Sequence, residues 1–367
     1  AGSKTRVATM GHDDFKSNEK SWIAAHDDVL TIRHTATDGT VTVLKEGLKV
    51  LPREIIDATF LSAKELDAFL AEAPFRRRIE RHAAPCVEIP PELPQGRRTP
   101  VASTQEAFGR IMSELARGEL PLAARIVTTS PDVTVSTSLG GWVGRRAVFN
   151  RREHDDVFRS EQVLSPTPWR ESPQGQHLEL GIAENNLFLN LASLGLAHEL
   201  FGARLLPVGT LYDPFICRGL DALNYACYQD ARFLLVATPS GITLAPEGGA
   251  HQSIGTPLIG MSQPGLTFFE PAFADEVAVV LRWAMAHLQA EDGGSVYLRL
   301  TTRQITQPER TMTPTLGAGV LAGAYWLEAP QPGAELALAC AGAVTSEVQE
   351  ALAAVREDIP GAGLLLV

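Results

Sequence analysis

Between residues 125 and 300 short apolar runs of strand length alternate with longer stretches whose apolar residues recur at helical spacing, and no other feature narrows the fold as much. Residues 125–129, 204–208, 232–238 and 295–300 read as strands. Helices are expected from Gly181, from Pro214 and over residues 272–288. Strands separated by helices return to the same edge of a sheet, so they run parallel and the helices cover both faces. The predicted class is therefore α/β, a parallel sheet with helices on both faces.

The flanking segments read differently. Residues 1–85 are charged and mixed, with one helix expected over residues 62–82. Pro90-Pro91-Glu92-Leu93-Pro94-Gln95-Gly96 is stiff and extended, as interdomain linkers are. Ser103-Thr104-Gln105-Glu106 fits a capping box, so a helix to about Ala116 should follow. Beyond a proline-containing hinge over residues 307–314, residues 335–341 read as a strand, 345–355 as a helix and 363–367 as the start of a second strand. The glycine-rich Leu316-Gly317-Ala318-Gly319-Val320-Leu321-Ala322-Gly323 lacks Gly-x-Gly-x-x-Gly spacing and precedes no clear helix, so it is not read as a nucleotide loop. The expected organisation is a mixed N-terminal segment and linker over 1–95, an α/β domain over 96–312 and an incomplete second α/β domain over 313–367.

A net charge of −11 argues against a nucleic-acid partner, which needs clustered cations to neutralise phosphates. The basic runs Arg76-Arg77-Arg78 and Arg97-Arg98 are short and read as solvated faces. No run of about 18 apolar residues marks a membrane span, and no signal pattern opens the chain, so a cytoplasmic or organelle-matrix protein is expected. Cys86, Cys217, Cys227 and Cys340 form no Cys-x-x-Cys pair, against a zinc site or disulfide framework. His-Asp-Asp occurs at His12-Asp13-Asp14, His26-Asp27-Asp28 and His154-Asp155-Asp156; without a fixed period these read as solvated turns rather than metal ligands.

One carboxylate stands out. Glu184 falls one turn into an otherwise apolar helical stretch that opens after the alternating His177-Leu178-Glu179-Leu180 and Gly181. It either complements the helix dipole or carries chemistry. Tyr212 and Phe215 read as core or as a ring pocket, His251 as a surface residue or a proton shuttle, and Ser130-Pro131-Asp132 as a turn or a site segment.

Four segments in order resemble the pyrimidine-binding domain of the transketolase-like thiamine diphosphate enzymes. They are Ser130-Pro131-Asp132-Val133, Gly181-Ile182-Ala183-Glu184, Leu206-Pro207-Val208-Gly209-Thr210-Leu211-Tyr212-Asp213-Pro214-Phe215-Ile216-Cys217-Arg218-Gly219, and Pro246-Glu247-Gly248-Gly249-Ala250-His251-Gln252-Ser253. The resemblance implies that Glu184 activates the cofactor at the pyrimidine N1′ and that Ile182 props its bent shape. It further implies that Phe215 stacks on the aminopyrimidine beside Tyr212, that Asp132 lies near the thiazolium, and that His251 serves the substrate oxygen.

Within that family the Glu-Gly-x-x-His loop is similar to the homodimeric type of pyruvate dehydrogenase E1 component. Val101 and Pro239 stand where transketolases carry a phosphate-binding arginine and a histidine. The implied reaction is oxidative decarboxylation of a 2-oxo acid, pyruvate foremost, with acyl transfer to the lipoyl arm of an E2 partner. Sugar-phosphate ketol transfer and a non-catalytic scaffold remain alternatives. The family's Gly-Asp-Gly diphosphate and Mg2+ motif is absent from the sequence, Thr37-Asp38-Gly39 and Glu291-Asp292-Gly293 being poor look-alikes. That half of the site is expected on another domain or chain, a homodimer mate included.

Overall fold

The computed structural model describes residues 82–152, 160–164 and 169–367, together with four strands between Arg6 and Glu46. The chain divides into two compact units, Ala1–Glu80 and Arg81–Val367.

In the first unit β1 (Arg6–Thr9), β2 (Lys20–His26), β3 (Val29–Thr35) and β4 (Val41–Glu46) form an antiparallel sheet in chain order. The helix expected over residues 62–82 lies outside the described residues, except for His82, which is not helical. The three His-Asp-Asp triplets fall outside them too, apart from His26 at the end of β2. No group of three or more His, Cys, Asp or Glu among the described residues could hold a metal ion.

The second unit opens with β5 (Val101–Ala102) and α1 (Thr104–Arg117). The capping box at α1 is formed: Glu106 N donates to Ser103 Oγ at 3.1 Å and Ser103 N to the Glu106 carboxylate at 3.3 Å. Then come β6 (Ile126–Ser130), α2 (Gly140–Arg146), β7 (Val148–Phe149), β8 (Glu171–Ser172), β9 (His177–Glu179), α3 (Glu184–Gly195), α4 (Ala197–Leu200) and β10 (Leu206–Leu211). A 3₁₀ segment, Asp213–Gly219, leads into α5 (Leu220–Tyr228). β11 (Leu234–Ala237), α6 (Thr256–Ser262), β12 (Leu266–Phe269), α7 (Ala274–His287) and β13 (Ser295–Arg299) complete the layer.

Among the described residues eight strands form one sheet in the order β12-β13-β11-β10-β6-β9-β7-β8, every pair parallel. Both faces are covered, so the central strands are apolar throughout rather than alternating. Leu206, Val208, Leu234, Val236, Val296 and Leu298 pack on the side of α1 and α7. Leu211, Phe233, Leu235, Ala237 and Tyr297 face α3 and α5. The expected α/β class is the observed one.

The proline-rich segment is strapped down rather than free. Val87 N donates to Gln289 Oε1 at 2.6 Å, Arg282 Nε to Pro90 O at 2.8 Å, and Leu93 is buried. After β14 (Ile305–Thr306), which pairs with β5, the glycine-rich stretch is itself a helix, α8 (Pro314–Ala322). The end signals there outweigh two glycines: Thr313 caps, proline takes the first turn and Gly323 closes in the left-handed region at φ 91°; a strand follows, as the reading that the stretch precedes no clear helix has it. β15 (Tyr325–Glu328), also missed, joins β16 (Ala337–Cys340), α9 (Thr345–Asp358) and β17 (Gly363–Leu366). The C-terminal sheet thus has three strands, not two, in the order β15-β17-β16. No helix among the described residues is long and apolar enough to cross a membrane.

Candidate functional site

Because β6, β9, β10 and β11 are parallel neighbours, their carboxyl ends share one edge. The chain crosses from β6 to β9 on one side and then back to β10 on the other, which makes that edge a topological switch point, where open α/β sheets bind their ligands. All six candidate residues follow the ends of these strands: Asp132 after β6, Ile182 and Glu184 after β9, Tyr212 and Phe215 after β10, His251 after β11.

Gly181 takes φ +64°, a left-handed turn that glycine makes without strain, and α3 starts three residues later. Glu184 is the first helical residue rather than one turn in. It extends the buried stripe of Leu187, Phe188 and Leu191, spaced at i+3, i+4 and i+7, so its carboxylate is drawn inward with its face of the helix. Arg218 Nη1 meets Glu184 Oε1 at 2.7 Å, and the Arg218 side chain is 49 % exposed.

Gly219 permits this approach. A Cβ there would meet the Phe188 ring at 2.4 Å and Glu184 O at 3.0 Å. The 3₁₀ segment consequently lies close on α3, and Tyr212, Phe215 and His251 form a ring cluster. Ring centroids are 5.9 Å apart for Tyr212 and Phe215, 5.9 Å for Tyr212 and His251, and 5.4 Å for Phe215 and His251. Arg218 completes it, its guanidinium carbon 3.7 Å from the Phe215 ring centre. Four of the six predicted residues are thereby brought together, linked by an arginine to which the sequence reading gave no role.

His251 Nδ1 is buried and has no hydrogen-bond partner among the described residues. Its Nε2 lies 3.6 Å from Glu247, one turn earlier. The loop is anchored from behind by Asp213, which is fully buried. Asp213 accepts from Thr256 Oγ1 at 2.6 Å, from Arg299 Nε at 3.0 Å, and from the Ser253 and Tyr297 hydroxyls. Arg299 Nη2 also donates to Ser253 O at 2.8 Å, and Nη1 to Glu270 at 2.5 Å. Burial, and then the Asp213 charge, push the Tyr297 hydroxyl well above its ordinary range. Burial opposes the Arg299 charge, yet the two carboxylates outweigh it and raise the guanidinium. The sequence signal was a charge between Tyr212 and Pro214 at a strand end; its partner Arg299, 86 residues on, leaves no local trace.

Ile182 is 76 % exposed, which removes the core-packing alternative and leaves an unburied aliphatic side chain beside Glu184. Asp132 stands apart, in a left-handed turn at φ 64°. It lines a separate cavity of about 390 Å³ with Thr134, Trp169, Glu171 and Glu179. Its amide donates to Glu179 Oε1 at 2.8 Å, while Thr134 Oγ1 bridges the fully buried His177 at 3.0 Å and Glu179 Oε2 at 2.7 Å.

A family model described as transketolase, pyrimidine binding domain, matches residues 101–307, more than half of the chain. The chain belongs to that family. The transketolase pyrimidine-binding match runs from β5 to just past β14 and so takes in the whole parallel sheet and the ring cluster. The chain is similar to the pyruvate dehydrogenase E1 component of Pseudomonas aeruginosa, 26 % identical over 263 residues, which covers 70 % of this chain and 29 % of that one. The transketolase of Leishmania mexicana superposes with a TM-score of 0.59 at 18 % identity over 86 % of this chain and 39 % of that one, a likeness of fold. Residues 1–79 match a different model, monomeric isocitrate dehydrogenase. There the isocitrate dehydrogenase [NADP] of Corynebacterium efficiens is 58 % identical over 80 residues, 22 % of this chain and 11 % of that one. The chain thus spans less than a third of either relative, and the two matches share no residue.

Proposed function

We propose that residues 96–312 form the pyrimidine half of a thiamine diphosphate enzyme that oxidatively decarboxylates a 2-oxo acid, pyruvate foremost, and passes the acyl group to a lipoyl group of an E2 partner. The observation that carries this reading is the buried carboxylate of Glu184, held at a helix start beside the Tyr212, Phe215 and His251 rings. The site fits the aminopyrimidine. It offers a carboxyl group that would share one proton with a ring nitrogen, an aromatic face for stacking, and an orphaned buried Nδ1 on His251.

Thiamine diphosphate, when bound, would supply a nucleophilic thiazolium carbon and an electron sink for decarboxylation. Glu184 holds a proton at the pyrimidine nitrogen, its place fixed by the apolar stripe of α3. Phe215 and Tyr212 orient the ring, and Ile182 supports it from the exposed side. His251 gives and takes a proton at the substrate oxygen, with Glu247 one turn away to steady the imidazolium. Asp132, which lines its own cavity apart from the ring cluster, would serve the thiazolium side. The diphosphate and Mg2+ would be held by a complementary domain or the mate of a homodimer. Val101 and Pro239, in place of cationic and histidine anchors, favour a small 2-oxo acid over a phosphorylated ketose.

The test supplies the chain with a diphosphate-binding domain from a pyruvate dehydrogenase E1 component, thiamine diphosphate and Mg2+, and follows pyruvate-dependent reduction of dichlorophenolindophenol. Turnover that Glu184→Gln lowers about 100-fold or more supports the reading. Turnover of xylulose 5-phosphate alone moves the chain to the ketol-transfer branch. A folded mixture inert toward both overturns the reading in favour of a scaffold.

A further inference from the structure

Arg218 makes both contacts that the proposed reading reserves for the aminopyrimidine. Its Nη1 donates to Glu184 Oε1 at 2.7 Å, and its guanidinium carbon lies 3.7 Å from the centre of the Phe215 ring. That is van der Waals distance for stacked planar groups, so nothing else fits between the guanidinium and that face of the ring. We propose that Arg218 is the internal occupant of the pyrimidine pocket, a guanidinium that covers Phe215 and pairs with Glu184 until a flat heterocycle with an N–H donor displaces it. The proposal rests on the cofactor reading of Glu184 and Phe215.

The chemistry explains why arginine suits the place. A carboxylate as buried as that of Glu184 is costly to leave without a partner. Guanidinium and aminopyrimidine are both planar, delocalised amidine-type groups that donate in their own plane and stack on an aromatic face. Exchanging one for the other keeps Phe215 covered, and keeps Glu184 paired through the proton that the carboxyl and the ring nitrogen then share. Arg218 has somewhere to go, because its side chain is half exposed and the next residue is Gly219. Ligands that lack either the flat face or the donor replace only one of the two contacts and leave the arginine in place. The closed pocket therefore screens for the pyrimidine ring before the diphosphate half contributes.

A pocket that is mostly closed weakens apparent affinity by the fraction of time it stands open. A cation–π contact together with a half-exposed ion pair corresponds to a masking of about five- to fifty-fold. The probe is 4-amino-5-aminomethyl-2-methylpyrimidine, titrated by ligand-observed NMR into the full chain, Arg218→Ala and Arg218→Met, with folding checked by far-UV circular dichroism. Methionine keeps an unbranched apolar side chain over Phe215 and covers the case in which alanine unfolds the segment. The expected result is about five- to fifty-fold tighter binding by both variants. Equal or weaker binding by the variants, with the original chain binding, overturns the role of Arg218 and leaves the pyrimidine reading intact. Absence of saturable binding by all three folded proteins overturns the pyrimidine reading and the proposal with it.

Discussion

Ser253 donates its hydroxyl hydrogen to the carboxylate of Asp213, 40 residues earlier, and so ties the loop carrying His251 to the segment carrying Tyr212 and Phe215. Asp213→Ala removes the acceptor for four donors and leaves Arg299 buried with Glu270 as its remaining carboxylate partner. The expected cost is about 3–5 kcal/mol, read by urea unfolding. Ser253→Ala removes one donor and should cost about 1 kcal/mol. Amide exchange over residues 248–254 should quicken in that variant while α1 stays protected.

Gly219→Ala should destabilise the chain by about 1–3 kcal/mol, because its methyl would meet the Phe188 ring at 2.4 Å. The same methyl presses on the carbonyl of Glu184, at 3.0 Å, so aminopyrimidine binding should fall further than stability does. Thermal unfolding and the fragment titration, run in parallel, read the two effects.

The four cysteines should separate by rate. Cys86 and Cys217 are exposed, whereas burial pushes the Cys227 thiol up to about 11 and raises that of Cys340 against a hydrogen bond with Thr345. At pH 8 Cys227 is thiolate in about one molecule in a thousand, and the thiolate is what reacts. A mass-spectrometric time course with iodoacetamide should show Cys86 and Cys217 labelled first and Cys227 slower by about 100-fold.

Thermal stability should fall as pH drops from 7.5 to 5.5. Burial lowers His198, with Arg204 adding to it; burial also lowers His287, with Arg232 adding and Asp292 opposing. The unfolded chain takes up these protons more readily than the folded one, so the stabilisation is complete above the unfolded value of 6.5 and is lost as pH falls through the folded values. Glu179 repeats the effect in the acid range. Burial raises it, but hydrogen bonds from His177, Thr134 and the Asp132 amide prevail and lower it, so its share is lost as pH falls below 4.5. His198→Gln with His287→Phe, which keeps an aromatic ring on Trp283, should flatten the Tm slope between pH 5.5 and 7.5 and leave the acid limb unchanged.

Much of the parallel layer was legible because its strands are buried on both faces: residues 206–211, 234–237 and 295–299 are apolar runs bounded by turns. β12 left little signal because Leu266–Phe269 is short and follows the seven-residue α6 after only three residues. α8 was hidden by its glycines, and β15 by following α8 with a break of two residues. Glu184 was visible as a charge in an apolar stripe. Arg218 and Arg299 were not, and Asp213 showed only as a lone charge at a strand end, since an ion pair across 34 or 86 residues leaves no periodic mark. The isocitrate dehydrogenase likeness of residues 1–79 was not legible either, because the stretch is charged and mixed and its His-Asp-Asp triplets have no fixed period.

The shared face of Glu184, Leu187, Phe188 and Leu191 makes the first turn of α3 a place where chain length matters as well as side-chain identity. One residue inserted between Glu184 and Leu187 would turn the carboxylate about 100° away from Phe215, while the apolar stripe downstream kept its seat. Such a chain would still fold, and its site would be blind. Insertions and deletions, and not only substitution of Glu184 itself, are changes that this turn cannot absorb.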